Sequence, residues 1–336
     1  MDTHTLIPIL VTGGAGYVGS HACKALAASG YLPITYDNLI HGHREAVKWG
    51  PLEIGDITDR GALDAAIARH KPRAVMHFAA FTYVGESVTN PGKYYRNNVV
   101  GTLTLLEAMR DHSIAQLVFS STAATYGTPE TVPIQETAPK LPINPYGHSK
   151  LTAEKMIADF AKGHGLRAAV LRYFNAAGAD PDGDLGECHD PEAHLIPLAM
   201  QAVTGDGPPL TVFGDDYPTP DGTCIRDYIH VSDLADAHVR ALANLEAREG
   251  VEAFNLGTGR GASVREVLSA VELATGKPVP YAMGGRREGD PAELISDPAK
   301  AMHELAWTPY LSDLSTIVST AWAWHTKQRT SDPRAR

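Results

Sequence analysis

A short apolar run, Ile7 to Val11, leads straight into GGAGYVG, and that junction restricts the fold more than any other stretch of the 336 residues. Gly13, Gly16 and Gly19 stand at three-residue intervals, after which His21 to Ala28 takes up a helical pattern. Small residues between a strand and a helix let the turn close tightly and bring the helix amino end close to whatever lies above it. A strand that hands over to a helix in this way belongs to a parallel sheet, because parallel neighbours are reached only by a crossing connection.

The same unit recurs. Candidate strands at Leu32 to Tyr36, Ala74 to Phe78, Gln116 to Ser120 and Arg167 to Arg172, with a weaker one before Gly55, alternate with helical patterns at Asp59 to Arg69, Tyr94 to Arg110 and Tyr146 to Lys162. Continuous apolar runs of this kind are buried on both faces, so the expected fold is α/β, a Rossmann-type doubly wound parallel sheet over residues 1–178. Beyond Asn175 the stretch GADPDGDLGECHDPEAH reads as a boundary loop or lid. Helices near Leu195 to Val203, Asp233 to Leu245, Val264 to Leu273 and Leu314 to Trp324, with a strand at Leu210 to Phe213, make residues 179–330 a smaller mixed α/β substrate domain. Segments around 231–258 are expected to return to the first domain, and the tail KQRTSDPRAR to fray. A ligand then belongs in the crevice between the two parts.

Lys and Arg total 29 against 39 Asp and Glu, a formal charge of -10, which is the wrong sign for a general nucleic-acid surface. Backbone N–H groups and a few arginines can still hold a phosphate inside an acidic protein. The start has no basic region followed by a long apolar run, and no segment approaches the roughly 18 uncharged apolar residues of a span, so neither secretion nor membrane insertion is expected. Cys23, Cys188 and Cys224 are far apart and lack metal-ligand spacing. Neither a disulfide framework nor a metal is expected, which suits a reducing cytoplasm.

The glycine turn places helix N–H groups where a diphosphate could sit, although its spacing is not GxGxxG and a purely packed turn would look alike. Asp37 ends the second strand 18 residues after Gly19. Its carboxylate suits the two hydroxyls of an adenosine ribose and would repel a 2′-phosphate, favouring NAD over NADP; a loop cap is the plainer role. Asp56 and Ile57 could flank the adenine. Tyr146 and Lys150 fall one turn apart on a helix face. A tyrosine serves as a base near neutral pH only where positive charge favours its phenolate, and Lys150 with a nicotinamide ring would supply that charge. Thr122, at the end of the strand carrying Ser120, could bond the same substrate hydroxyl or merely cap the strand.

In order along the chain, ILVTGGAGYVGSH, YDNL, GDI, MHFAA, VGES, YYRNNVVGT, FSSTAATYG, YGHSK, LRYFNAAGA, GTCIRDYIHVSDLADAH, FNLGTG and RREGD closely resemble the UDP-glucose 4-epimerase family of extended short-chain dehydrogenases/reductases. The resemblance implies tightly held NAD, a UDP-sugar in the smaller domain and a homodimer built on the helices at Tyr94 to Arg110 and Tyr146 to Lys162. It implies a catalytic set of Tyr146, Lys150 and Thr122, the threonine standing where many members have serine. Tyr17, Val18, Asn38, Phe78, Ala79, Ala80, Asn98, Ser120 and Tyr173 join the cofactor set, and Asn175, His194, Leu195, Arg226, Tyr228, Arg287, Asp290 and Leu294 the substrate set.

Three positions depart from the family pattern. Thr82 replaces a lysine in a loop near the cofactor, His194 replaces an asparagine near the sugar, and Leu294 takes the place of the residue that gates N-acetyl sugars. FAAFTYVGES also resembles epimerases of UDP-xylose and UDP-arabinose, so a pentose or a broad range of sugars stays open. Dehydratases of the same family carry Thr-Asp-Glu where this chain has Thr122-Ala123-Ala124, and the uronate decarboxylases have a glutamate at the place of Ala124; both chemistries are disfavoured. A noncatalytic dinucleotide sensor would have no need of the Tyr146, Lys150 and Thr122 constellation.

Overall fold

The computed structural model describes residues 6–287 and 290–331. Its strands are β1 Ile7–Thr12, β2 Tyr31–Asp37, β3 Leu52–Ile54, β4 Ala74–His77, β5 Gln116–Thr122, β6 Arg167–Tyr173, β7 Asn175–Ala177, β8 Leu210–Phe213, β9 Ile225–Arg226, β10 Tyr228–His230, β11 Val251–Leu256, β12 Ala262–Ser263, β13 Tyr281–Gly284 and β14 Glu293–Leu294. Its helices are α1 Tyr17–Ala28, α2 Arg60–His70, α3 Val84–Thr89, α4 Pro91–Tyr94, α5 Gly101–Asp111, α6 Pro145–His164, α7 Leu195–Thr204, α8 Val231–Asn244, α9 Val264–Thr275, α10 Ala299–Glu304 and α11 Leu314–Ser331.

Seven strands form one parallel sheet in the order β11-β6-β5-β4-β1-β2-β3. The chain winds outward from β1 through β2 to β3, then crosses back to β4 on the other side of β1. The β1/β4 pair is therefore the switch point, above whose carboxyl ends such sheets take their ligands. Apolar side chains fill both faces. On one, Leu26, Leu234, Leu242 and Trp307 pack beneath α1 and α8; on the other, Leu63, Leu105, Met109 and Ile157 of α2, α5 and α6 close over Leu10, Val75 and Leu117. A third core, with Ile196, Met200, Val267, Val271 and Ile317, binds α7, α9 and α11 together beside the β13-β8 pair.

Several elements differ from the sequence reading. α1 starts four residues before His21, because Gly16 can serve as its N-cap. β5 runs on to Thr122. The single helix expected over Tyr94 to Arg110 is interrupted by a π-helical stretch, Tyr95–Val100, that carries buried Asn98. The tail through Ser331 is helical rather than frayed: Lys327 donates to the Gly183 carbonyl at 2.7 Å and Arg329 pairs with Asp206. The last five residues lie outside the described residues, as do the first five and Glu288 and Gly289 of RREGD. β11 was not anticipated as a strand, since Val251 to Leu256 shows no clean alternation; it pairs with β6 along its whole length. Among the described residues no helix is long and apolar enough to cross a membrane, and Cys23, Cys188 and Cys224 are free thiols.

Candidate active site

β1 ends at Thr12, and the chain reverses through Gly13 at φ +74°, whose N–H donates to the Tyr36 carbonyl at 2.8 Å. A Cβ at Gly13 would stand 2.6 Å from the Ala79 nitrogen, and one at Gly19 would stand 2.2 Å from the Gly13 carbonyl oxygen. Backbone thus meets backbone at the switch point, which no other residue type permits. Gly16 is less constrained, with 3.4 Å of clearance. Some other helices are closed by side chains: Asp59 accepts from Ala62, Asn144 from Gly147, and Ser263 with Glu266 forms a capping box. α1 has no side-chain cap. Its first-turn N–H groups and positive dipole end are left for an anion, and this cradle fits a dinucleotide diphosphate.

Asp37 closes the far side of the turn. Its carboxylate accepts from the Ala15 N–H at 3.0 Å and the Leu39 N–H at 2.8 Å. Burial raises its pKa while these bonds draw it back, and lone pairs remain for ribose hydroxyls. Asn38 donates to Asp56 at 2.9 Å, and Thr58 donates to the same carboxylate, so bonding outweighs burial and holds Asp56 low. Ile57 is buried in the core. Tyr17 donates to the Gly178 carbonyl at 2.6 Å, Val18 packs inward, and Phe78 lies against His238 at 4.7 Å between ring centroids, followed by Ala79 and Ala80.

Asn144 and Pro145 start α6 so that Tyr146, Ser149, Lys150, Ala153, Glu154 and Ile157 share its buried face. The Lys150 Nζ donates to the Ser120 carbonyl at 2.8 Å and lies 4.9 Å over the Phe119 ring, which ties α6 to β5. Thr122 accepts from the Ala124 N–H at 3.1 Å, and its side chain draws down the pKa of the nearby Tyr146 phenol. Ser120 and Tyr173 share a 2.6 Å hydroxyl bond. Burial pushes the Tyr146 pKa well up, Tyr173 adds to that, and Thr122 opposes it. Burial also brings Lys150 down to about 7, against the pull of Glu154. Desolvation is the largest influence on both groups in the protein alone, so the charge that favours the phenolate has to overcome it.

Sequence reasoning missed what holds this face in place. Glu154 accepts from Ser121 at 2.5 Å and from Arg172 at 2.9 and 2.6 Å, and Arg172 donates on to the Tyr126 hydroxyl, itself bonded to Asn255. Asn98 spends both amide hydrogens on the Phe81 carbonyl and Ser149, and its oxygen accepts from the Phe81 N–H. It fixes the loop after β4 to α6. Lone polar residues on strands and helices give no sequence sign of such networks.

Four of the substrate candidates, Asn175, Arg226, Tyr228 and Leu294, lie on short strands. Only Phe174 separates Tyr173 from Asn175, so this group adjoins the Tyr146 group. β7 pairs with β10, setting Tyr228 level with Asn175, and β14 pairs with β9, setting Leu294 level with Arg226. Arg226 forms an ion pair with Asp290, and the Arg287 guanidinium lies 4.0 Å from the Phe213 ring centroid. His194 turns its ring onto Glu187 and Glu192 just before Leu195 opens α7. Thr82 is exposed. Asp227, beside Arg226 in RDY, went unnoticed: fully buried, it accepts from Thr258 and Ser296 and so anchors the GTG loop.

A profile of the NAD dependent epimerase/dehydratase family matches residues 9–257, along the sheet and the residues above it. The chain belongs to this family. Relatives from the family agree with that over nearly the whole length. A UDP-glucose 4-epimerase of Rhizobium leguminosarum bv. trifolii is 54% identical over 319 residues, 95% of this chain and 97% of the relative. The crystal structure of a UDP-glucose 4-epimerase from Brucella ovis in complex with NAD superposes with a TM-score of 0.92 at 55% identity, covering 94% of this chain and 98% of that one. A UDP-glucose 4-epimerase from Stenotrophomonas maltophila, with bound NAD and formylated UDP-arabinopyranose, reaches a TM-score of 0.94 at 41% identity, covering 97% and 100%.

Proposed function

We propose that the chain is a UDP-glucose 4-epimerase, an NAD-dependent isomerase that interconverts UDP-glucose and UDP-galactose through a transient 4-keto sugar. What supports the reading is that Tyr146 and Lys150 share the buried face of α6, with Lys150 tied to the end of β5 that carries Thr122, two strands along the sheet from the uncapped glycine turn of α1. Gly13, Gly16, Gly19 and the α1 N–H groups would hold the cofactor diphosphate and Asp37 its adenosine ribose. When bound, NAD supplies a reversible acceptor for the hydride of the sugar C4.

The residues do the rest. Tyr146 would take the proton of the 4-hydroxyl and later return it, with the Thr122 hydroxyl aligning the same oxygen. Lys150, anchored on Ser120, would place the nicotinamide ribose. Arg226, Arg287 and Asn175 would grip the diphosphate and Asp290 the uridine ribose, leaving the sugar free to turn and present its other face. The Arg226–Asp290 pair would open or be shared on binding. In this reading residues 1–178 hold the cofactor and 179–330 the UDP-sugar, with about 231–258 serving the first part. A cytoplasmic homodimer completes the proposal; exposed Tyr95, Val100 and Leu103 give the Tyr94 to Arg110 segment an apolar outer face suited to a second copy.

The test is a panel of UDP-glucose, UDP-galactose, UDP-N-acetylglucosamine, UDP-xylose and UDP-arabinose, incubated without added cofactor and separated by product. Interconversion of the two hexoses is expected. Reaction of the pentoses alone would favour the second reading, for which the UDP-arabinopyranose derivative held by the Stenotrophomonas protein speaks. No epimerised product from any sugar would overturn the function.

A further inference from the structure

A separate constellation sits in the loop between β7 and α7, where Glu187, His189, Glu192 and His194 close on one another. The Nδ1 of His194 lies 2.8 Å from a carboxylate oxygen of both Glu187 and Glu192. The Nδ1 of His189 lies 3.1 Å from Glu187 and 3.9 Å from Glu192. The two carboxylates are only 8% and 6% exposed, and among the described residues no lysine or arginine forms an ion pair with either. A buried pair of carboxylates needs positive charge close at hand.

We propose that these four side chains bind one transition-metal dication of the zinc type, through two imidazole nitrogens and two carboxylate oxygens. Ligands about 2.0–2.2 Å from a tetrahedral zinc stand roughly 3.3–3.6 Å from one another. The four imidazole–carboxylate separations, 2.8 to 3.9 Å, bracket that spacing, and all four ligand atoms lie within 4.8 Å of one another, so side-chain rotations can seat the ion. Its two positive charges cancel the two carboxylates and leave both rings neutral. A mixed nitrogen and oxygen set selects zinc-like ions over calcium and magnesium, which take oxygen alone and in larger number. The nearby Asp180, Asp182 and Asp184 make the contrast: their centre is filled by the Lys24 ammonium, bonded to all three.

With four protein ligands the site is structural, and what it fixes is a strap. The rings of Tyr17, from the glycine turn, and Tyr83 meet His189 edge-on at 6.2 and 6.3 Å. Tyr83 donates to the Pro191 carbonyl at 2.9 Å, and Trp324 of α11 donates to the Glu187 carbonyl at 3.0 Å. One ion would therefore lock the cofactor turn to the C-terminal helix.

The full-length protein, freed of metal with a chelator, is titrated with Co2+ and then Zn2+. Expected are about one cobalt per chain with the visible absorption of a tetrahedral site, its displacement by zinc, and a higher Tm with either ion. His189→Ala/His194→Ala should lose the absorption and the Tm rise. Glu192→Gln keeps the size of the side chain and an oxygen that accepts from the Ala193 and His194 N–H groups, and should weaken cobalt binding about tenfold or more in protein whose far-UV spectrum shows it folded. Cys188→Ser, which removes the thiol in the same loop, should bind as the wild type does. The proposal fails if the wild type takes up no cobalt, if Glu192→Gln binds undiminished, or if Cys188→Ser abolishes binding.

Discussion

Glu154→Gln should destabilise the protein by about 3–5 kcal/mol, the cost of breaking a buried ion pair by removing one partner. Arg172 and Glu154 are only 5% and 8% exposed. Glutamine preserves volume and one acceptor but removes the charge, leaving the guanidinium with the Tyr126 hydroxyl at 2.9 Å and the Glu136 carbonyl at 3.4 Å, both neutral. The effect should reach the site, because Glu154 is the carboxylate that holds Lys150 up against burial. With it gone, the Lys150 pKa falls further below its present value of about 7, and the basic limb of the kcat/KM profile moves to lower pH. Urea midpoints measure the first effect and a pH–rate series the second. Glu154→Leu/Arg172→Met, which removes both charges, should regain most of the stability while leaving the profile shifted. A loss under about 1 kcal/mol for Glu154→Gln, or a double variant no more stable than the single one, would refute the reasoning.

Tyr146→Phe should lower kcat by about 10²–10⁴-fold while the purified protein keeps its NAD, measured by turnover and by cofactor content after denaturation. Lys150 titrates at about 7 in the folded chain against 10.5 when free, so the unfolded chain binds the extra proton between these values and stability rises with pH across that window. The rise from pH 7 to pH 9, about 2 kcal/mol from this group, should vanish in Lys150→Met; equal urea-midpoint changes for the two proteins would contradict it. Gly19→Ala forces a methyl to within 2.2 Å of the Gly13 carbonyl oxygen and should cost at least about 1–3 kcal/mol together with NAD retention. Thr122→Ser should keep most activity and Thr122→Val little, a comparison that isolates the hydroxyl from the methyl.

The parallel sheet was legible because it is written locally: apolar runs buried on both faces, small residues at the first turn, Tyr146 and Lys150 at helical spacing. The β11 strand was not, because its place beside β6 is set by packing among residues some eighty positions apart. Nor was the electrostatic balance at Tyr146. Spacing shows that an ammonium lies one turn away, whereas burial, which raises the phenol and lowers the amine together, depends on how many elements close over them. His194 was read as a sugar contact from its place in HLIP, and only the fold shows its ring committed to Glu187 and Glu192.

Because β11 is an edge strand of the sheet and follows α8 in the chain, the outer edge of β6 finds its partner only after Leu256 has left the ribosome. Until then the nascent chain presents an open row of backbone donors and acceptors, the usual template for unwanted pairing between chains. A fragment ending near residue 178 would keep that exposed edge permanently, and is expected to associate through it.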